Sequence, residues 1–166
     1  MLPNDLHPGD VLLFRPTGWI GKIVAWATNS EYCHAAMYTG VDDVAELREF
    51  IGGRLLPLTA HAGESIDVFR PNASIFVRYN AVRRMKNLLS EPYSFLHGIE
   101  AFLLRRLPGF LLKKECDHHG YHCSQAVSNA YRSAYFDLCP GRADWATTPG
   151  DLAKSKWLHC LGRLEF

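Results

Sequence analysis

At residues 121–127 the chain reads Tyr121-His122-Cys123-Ser124-Gln125-Ala126-Val127. From the cysteine onward, small or apolar side chains recur at helical spacing, at Cys123, Ala126, Val127, Ala130, Tyr131 and Ala134. This spacing predicts a helix that begins at Cys123 and runs to about Tyr135. The positive end of a helix dipole stabilises a thiolate at the helix N-terminus. The stretch therefore has two interpretations: a nucleophilic cysteine, or a structural cysteine, since free cysteines are often buried.

The composition indicates one globular domain that covers residues 1–166. The net charge of +1 gives no general attraction to nucleic acid, so we expect no nucleic-acid partner. The five cysteines are odd in number and show no regular disulfide framework. The first ten residues lack a basic segment followed by an apolar run. We therefore expect no signal peptide, and a protein that is cytoplasmic or released without one.

The order of predicted elements favours an α+β fold. Strands cluster in the first half of the chain and helices in the second, which differs from the regular alternation of a parallel α/β sheet. The predicted strands are 10–14, 33–38, 44–50, 54–58, 65–70 and 157–162, and the predicted helices are about 18–28, 81–89, 93–107 and 123–135. Thr148 before Pro149 predicts the N-cap of a further short helix.

A thiol nucleophile needs a base, and His34 is the best candidate because it lies on an apolar predicted strand. The alternative is a core histidine with one hydrogen bond. If residues 39–41 form the following hairpin loop, His34 lies directly opposite Glu46, which could orient the imidazole. A four-residue loop would instead place Glu49 opposite His34. Strand patterning alone leaves both registers open.

The run from Cys116 to Cys123 contains two thiols and three imidazoles, which raises the hypothesis of a zinc site. Its spacing matches none of the paired Cys/His zinc patterns, and the sequence offers no second pair elsewhere. We therefore interpret the histidines as a polar loop whose positive charge, when protonated, lowers the pKa of Cys123. No metal or cofactor is expected.

Two further regions are candidates for contacts with a substrate or a membrane. Tyr121 and Ser124 flank the nucleophile and are candidate substrate-binding residues, Ser124 at a possible oxyanion pocket. The apolar segment 95–112 is interrupted by Arg105-Arg106 and Pro108-Gly109, so it is not expected to span a bilayer. It could make a peripheral contact with a membrane or an acyl chain.

Taken in order, these segments resemble the circularly permuted branch of the NlpC-type papain-like cysteine peptidases, the YiiX/YebB-like proteins. The resemblance covers nearly the whole chain, and in it the histidine precedes the cysteine. The matching segments are Gly9–Phe14, Ser30–Tyr38, Val44–Glu46, Gly53–Leu58, Val68–Pro71, Pro92–Phe95, Tyr121–Ser124 and Thr148–Leu152.

The resemblance implies a permuted papain-like fold, in which a small antiparallel sheet packs against helices. It assigns Cys123 as nucleophile, His34 as base and Glu46 as the third polar residue, which favours Glu46 over Glu49. The implied activity is cleavage of amide bonds, in peptides, isopeptides or cell-wall peptides, and the expected partner is a peptide or an acyl-bearing small substrate. The alternatives are a lipid-directed acyltransferase or thioesterase on the same fold, and a non-catalytic module that binds a small molecule or peptide.

Overall fold

The structure, a computed structural model, describes residues 1–48, 51–92 and 120–166. The strands are β1 (Val11–Phe14), β2 (His34–Gly40), β3 (Asp43–Arg48), β4 (Gly52–Pro57), β5 (Ile66–Pro71) and β6 (Leu158–Arg163). The α-helices are α1 (Trp19–Ala27), α2 (Ile75–Leu88), α3 (Cys123–Ser133) and α4 (Pro149–Ala153), and short 3₁₀ helices occupy Pro3–Asp5, Leu58–His61 and Asp144–Ala146. The six strands, α1, α3 and α4 are confirmed within a few residues. The predicted helix 93–107 and the segment 113–119 lie outside the described residues.

Helix α2 begins at Ile75 rather than near Ala81, where the apolar stripe begins. Ser74 caps it, and its hydroxyl accepts a hydrogen bond from the backbone N–H of Val77. The first turns of α2 expose large side chains, with Phe76 73% and Tyr79 55% accessible. The periodic burial that reveals a helix in a sequence therefore starts only further along the chain.

The six strands form one antiparallel sheet in the order β4-β3-β2-β1-β5-β6. The fold is thus mixed α/β, with an antiparallel sheet and helices. Strand β1 lies at the centre and is buried along its whole length. None of the helices in the described ranges is long and apolar enough to cross a bilayer.

Helix α3 packs its small face against the sheet, as its sequence predicts. Ala126, Ala130 and Ala134 belong to the same core cluster as Ala35 and Met37 of β2. Small side chains allow a helix to lie close to a sheet, so the start of α3 is held near the start of β2. The opposite face of the sheet has its own core, which comprises Leu6, Leu12, Phe14, Ala36, Tyr38, Val44, Leu58, Ile66, Val68 and Leu164.

The hairpin between β2 and β3 differs from both predicted registers. Ala36, not His34, is paired with Glu46, and the register shifts between Tyr38 and Gly40. The turn is Val41-Asp42, both with positive φ, of 52° and 61°. A β-branched residue rarely adopts positive φ, so no sequence signal placed the turn there. The prediction that His34 lies directly opposite Glu46 is wrong by two residues, which leaves both side chains on one face of the sheet.

Candidate functional site

Cys123 is the first residue of α3, and only 6% of it is exposed. The backbone around it is fixed by reciprocal hydrogen bonds that cap the helix. The Nδ1 of His122 accepts from the backbone N–H of Gln125, and the Gln125 side-chain oxygen accepts from the backbone N–H of His122, each at 3.3 Å. The sulfur is therefore held at a defined position at the positive end of the α3 dipole.

His122 is a capping residue, a role that sequence reasoning missed. Its second ring nitrogen, Nε2, donates to the carbonyl of Trp145 at 3.0 Å. Both ring nitrogens thus have backbone partners, and His122 also contacts the Cys123 thiol and lowers its pKa. Histidine is not among the residues favoured at N-caps, so the sequence carried no conventional signal for this role.

His34 and Glu46 are in direct contact at the start of β2 and the middle of β3. The Nε2 of His34 lies 2.6 Å from a carboxylate oxygen of Glu46, and both side chains are buried. The other ring nitrogen, Nδ1, is buried and has no hydrogen-bond partner in the described part of the chain. The charges of His34 and Cys123 act on one another, and Nδ1 is the ring nitrogen that Glu46 leaves without a partner.

The electrostatics of the three groups favour a thiolate beside an imidazolium. Burial raises the pKa of Cys123, but its contacts with His122 and His34 outweigh burial and lower that pKa to about 6. Burial lowers the pKa of His34, and the neighbouring Cys123 and Glu46 outweigh it and raise the pKa to about 10. Each group thus stabilises the charged form of the other.

Glu46 remains ionised although it is fully buried. Burial alone would raise the pKa of its carboxyl, but the hydrogen bond and charge of His34, the charge of His61 and the hydrogen bond from Arg54 lower it to about 2. Arg54 donates from Nε to the second carboxylate oxygen of Glu46 at 2.6 Å, and its Nη2 lies 2.6 Å from the same oxygen. The carboxylate therefore joins the imidazole on one side to a guanidinium on the other.

Sequence reasoning included Arg54 in a matching segment but assigned it no role. In the structure, Arg54 of β4 is paired directly with Glu46 of β3, so their side chains project to the same face. The available signal was a single charged residue in the short strand Gly52–Pro57. That signal points to Glu46 only when the β3–β4 register is known.

The two predicted substrate-binding residues differ in their placement. Ser124 is fully buried, and its hydroxyl donates to the carbonyl of Thr147 at 2.8 Å. This hydrogen bond holds the start of α3, and the predicted role of Ser124 at an oxyanion pocket stays a prediction. Tyr121 is partly buried and packs against the helix-side core, and its substrate contact stays a prediction.

The segment that begins α4 ties the cysteine and histidine elements together. The Thr147 carbonyl holds Ser124, and Thr148 caps α4 as the sequence predicts. Gly150 packs so closely on Ser30 that a Cβ at Gly150 would lie 2.7 Å from the Ser30 side chain. Ser30 in turn accepts from the backbone N–H of Tyr32, just before β2. One short segment thus contacts both the helix that carries Cys123 and the loop that leads to His34.

The six-stranded antiparallel sheet and the helices that pack on it match a YiiX-like fold. The comparison is with the crystal structure of metalloprotein yiiX from Escherichia coli O157:H7, DUF1105, which superposes with a TM-score of 0.67 at 14% identity. The match covers 95% of this chain and 97% of that chain. No protein-family model matches the sequence, and neither does any curated protein. At 14% identity, the likeness establishes the fold alone.

That neighbour is described as a metalloprotein. In residues 1–48, 51–92 and 120–166, no three His, Cys, Asp or Glu side chains are placed to hold an ion. Around Cys123, both nitrogens of His122 are bound to the backbone and the Nε2 of His34 is bound to Glu46. These residues do not fit a metal centre. The remainder of the Cys/His-rich run, Cys116 to His119, lies outside the described residues.

Proposed function

We propose that the chain is a cysteine hydrolase that cleaves amide bonds, with Cys123 as nucleophile, His34 as acid and base, and Glu46 as the orienting carboxylate, in a permuted papain-like arrangement. The observation that carries the proposal is the contact of His34 Nε2 with Glu46 at 2.6 Å, which leaves Nδ1 for Cys123. Nucleophilic catalysis by a thiol needs such a chain of nucleophile, base and orienting group. The likeness to a YiiX-like fold supports it at the level of fold.

In the proposed reaction, the Cys123 thiolate attacks the carbonyl carbon, and the carbonyl π electrons move to the oxygen. The backbone N–H of Cys123 is not used within the helix, because it belongs to the first turn, and it would donate to this oxyanion. His34 passes its Nδ1 proton to the departing amine, which leaves an acyl-thioester on Cys123. His34 then takes a proton from water, the hydroxide displaces the thiolate, and an acid is released.

The proposal is tested by Cys123→Ala, assayed on peptidoglycan fragments and on γ-glutamyl or isopeptide substrates. We expect the variant to lose at least ~10³-fold in turnover, as other enzymes do when their nucleophile is removed. Cys160→Ala is the matched control, because Cys160 is a free and exposed thiol. Unchanged turnover in Cys123→Ala would exclude the assignment. Intact protein that fails to react with an electrophilic thiol probe would instead indicate a non-catalytic binding module.

A second candidate is an acyltransferase or thioesterase that works at a lipid surface, with the same attack on an ester or thioester carbonyl. One observation favours it: α1 exposes Trp19, Ile23 and Trp26, which are 73%, 54% and 67% accessible and lie on one side of the helix. Tryptophan suits the boundary between water and lipid. The predicted membrane contact through 95–112 lies outside the described residues and stays a proposal. Co-sedimentation with anionic vesicles, together with turnover of acyl esters, separates this candidate from a peptidase.

A further inference from the structure

Arg54 is the one member of the site, within the described residues, that touches Glu46 from the side opposite His34. Both Nε and Nη2 of Arg54 lie 2.6 Å from one carboxylate oxygen, while His34 lies 2.6 Å from the other. Glu46 is fully buried, and the Arg54 side chain is 27% exposed. The guanidinium therefore reaches from the protein surface to a carboxylate that water does not reach.

The formal charges explain what such a contact can do. In the reactive state, the buried group holds a thiolate on Cys123, an imidazolium on His34 and a carboxylate on Glu46, which together carry a surplus negative charge. An uncompensated charge in a dry interior is strongly unfavourable. Without Arg54, the simplest way to remove the surplus is to return a proton to Cys123. With the positive charge of Arg54, the four groups together carry no net charge while the thiol of Cys123 is ionised.

We propose that Arg54 is a positioning residue that balances the charge of Glu46, so that Cys123 can remain a thiolate while His34 remains protonated. The inference rests on the proposed Cys123–His34 pair and adds a fourth member to it. Its action passes through Glu46, since Arg54 contacts that carboxylate directly. A guanidinium suits this task because it is permanently charged and its fork of N–H donors matches a carboxylate.

Other charged or titratable groups face the same site and define the controls. His61, in the 3₁₀ helix Leu58–His61, is buried and its charge acts on Glu46, while its ring contacts Glu64 at 3.2 Å. Glu64 is also paired with Arg48 at 3.4 Å. Arg48 lies two residues beyond Glu46 on β3 and is 33% exposed, close to the 27% of Arg54. Arg48 is thus a guanidinium of similar exposure on the same face that is paired with a different carboxylate.

The test is the pH dependence of Cys123 alkylation by iodoacetamide, followed by mass spectrometry of the labelled peptide in the full chain. We expect a midpoint near 6 for the unmodified protein, from the lowered pKa of Cys123. Arg54→Met should raise that midpoint by about one pH unit, since an adjacent guanidinium typically shifts a carboxyl pKa by 1–3 units and here acts through an intermediary. Arg54→Lys keeps the positive charge, so its midpoint should stay close to that of the unmodified protein. Arg48→Met should leave the midpoint unchanged.

A second background, Glu46→Gln, shows whether the effect of Arg54 passes through Glu46. In Glu46→Gln no carboxylate remains to balance, so adding Arg54→Met should move the midpoint by less than half of the single-variant shift. An equal shift in both backgrounds would overturn the inference, and so would an unmoved midpoint in Arg54→Met. A midpoint near ~8.5 in the unmodified protein would instead remove the proposed ion pair, and the proposed function with it.

Discussion

The pKa of Cys123 depends on two neighbouring imidazoles, His122 and His34. A buried thiol without a charged partner ionises above the ordinary value, because burial disfavours the thiolate. In this chain the interaction with His34 works against burial, together with His122, and the pKa of Cys123 falls to about 6. Since His122 is committed to the backbone by both nitrogens, His34 is the group whose removal isolates the effect of an ion pair.

We therefore expect His34→Gln to move the alkylation midpoint of Cys123 from about 6 to above ~8.5, the value of a free thiol. The midpoint is the useful measurement, because a thiol of higher pKa is intrinsically more nucleophilic and rates alone would hide part of the change. His159→Gln is the control, since His159 is exposed on β6. A midpoint that stays near 6 in His34→Gln would show that the helix start and His122 activate the thiol without the imidazole.

Sequence reasoning found the residues that carry distinctive chemistry and missed those that act through geometry. Cys123, His34 and Glu46 were recognisable from residue type, helical spacing and resemblance. The contact of Arg54 with Glu46 depends on a cross-strand register, and the capping role of His122 depends on ring orientation. Neither property has a residue-type signature. The hydrogen bond of the Ser124 hydroxyl with the Thr147 carbonyl is likewise a matter of orientation that residue type does not reveal.

At the scale of elements, the bulge at Thr39 decides which side chains of β3 meet His34. The Val41-Asp42 turn pairs Gly40 with Asp43, and continuing that pairing without a bulge would place Leu47 and Glu49 on the His34 face. The extra residue shifts the register by one, so that Glu46 takes this face and Leu47 enters the helix-side core. The alternation in the sequence indicates that β3 has two faces. Which of them lies on the same side of the sheet as His34 is decided by one inserted residue.

The approach of β4 to the end of α2 requires a glycine. A Cβ at Gly53 would lie 2.2 Å from the backbone oxygen of Leu89, the residue that ends α2, and backbone cannot move aside as a side chain can. We expect Gly53→Ala to lower the free energy of unfolding by about 1–3 kcal/mol, the usual range for overpacking. Chemical denaturation measures it. Gly18→Ala is the control, because a Cβ there meets nothing within 4 Å, and its cost should stay below about 1 kcal/mol. Equal stabilities of the two variants would contradict the close contact.

For the molecule as a whole, the sheet is unusual for an antiparallel one, because its four inner strands, β3, β2, β1 and β5, are covered on both faces. One face packs against α2 and α3, and the other against Leu6, Leu58 and Leu164, which come from distant parts of the chain. Antiparallel sheets more often expose one face and show an alternating pattern. Double coverage explains why Val11–Phe14 reads as a continuous apolar run, and why sequence patterning predicted the strands while leaving the layers around them undetermined.

Because β3 is covered on both faces, the carboxylate of Glu46 is buried and ionised inside the fold. Glu46 therefore contributes to the stability of the protein against acid. Its pKa is lowered from 4.5 to about 2, so its contribution is complete above pH 4.5 and is lost as the pH falls toward 2. Linkage relates this shift to roughly 3 kcal/mol of unfolding free energy across that window. His34 stays protonated over this window in both the native and the unfolded state. Between pH 5 and pH 2, the free energy of unfolding of Glu46→Gln should therefore fall by about 3 kcal/mol less than that of the unmodified protein, as measured by denaturation. Glu31→Gln, at an exposed carboxylate paired with Arg15, should retain the unmodified slope. Parallel profiles for Glu46→Gln and the unmodified protein would show that the buried carboxylate is not ionised in the native state.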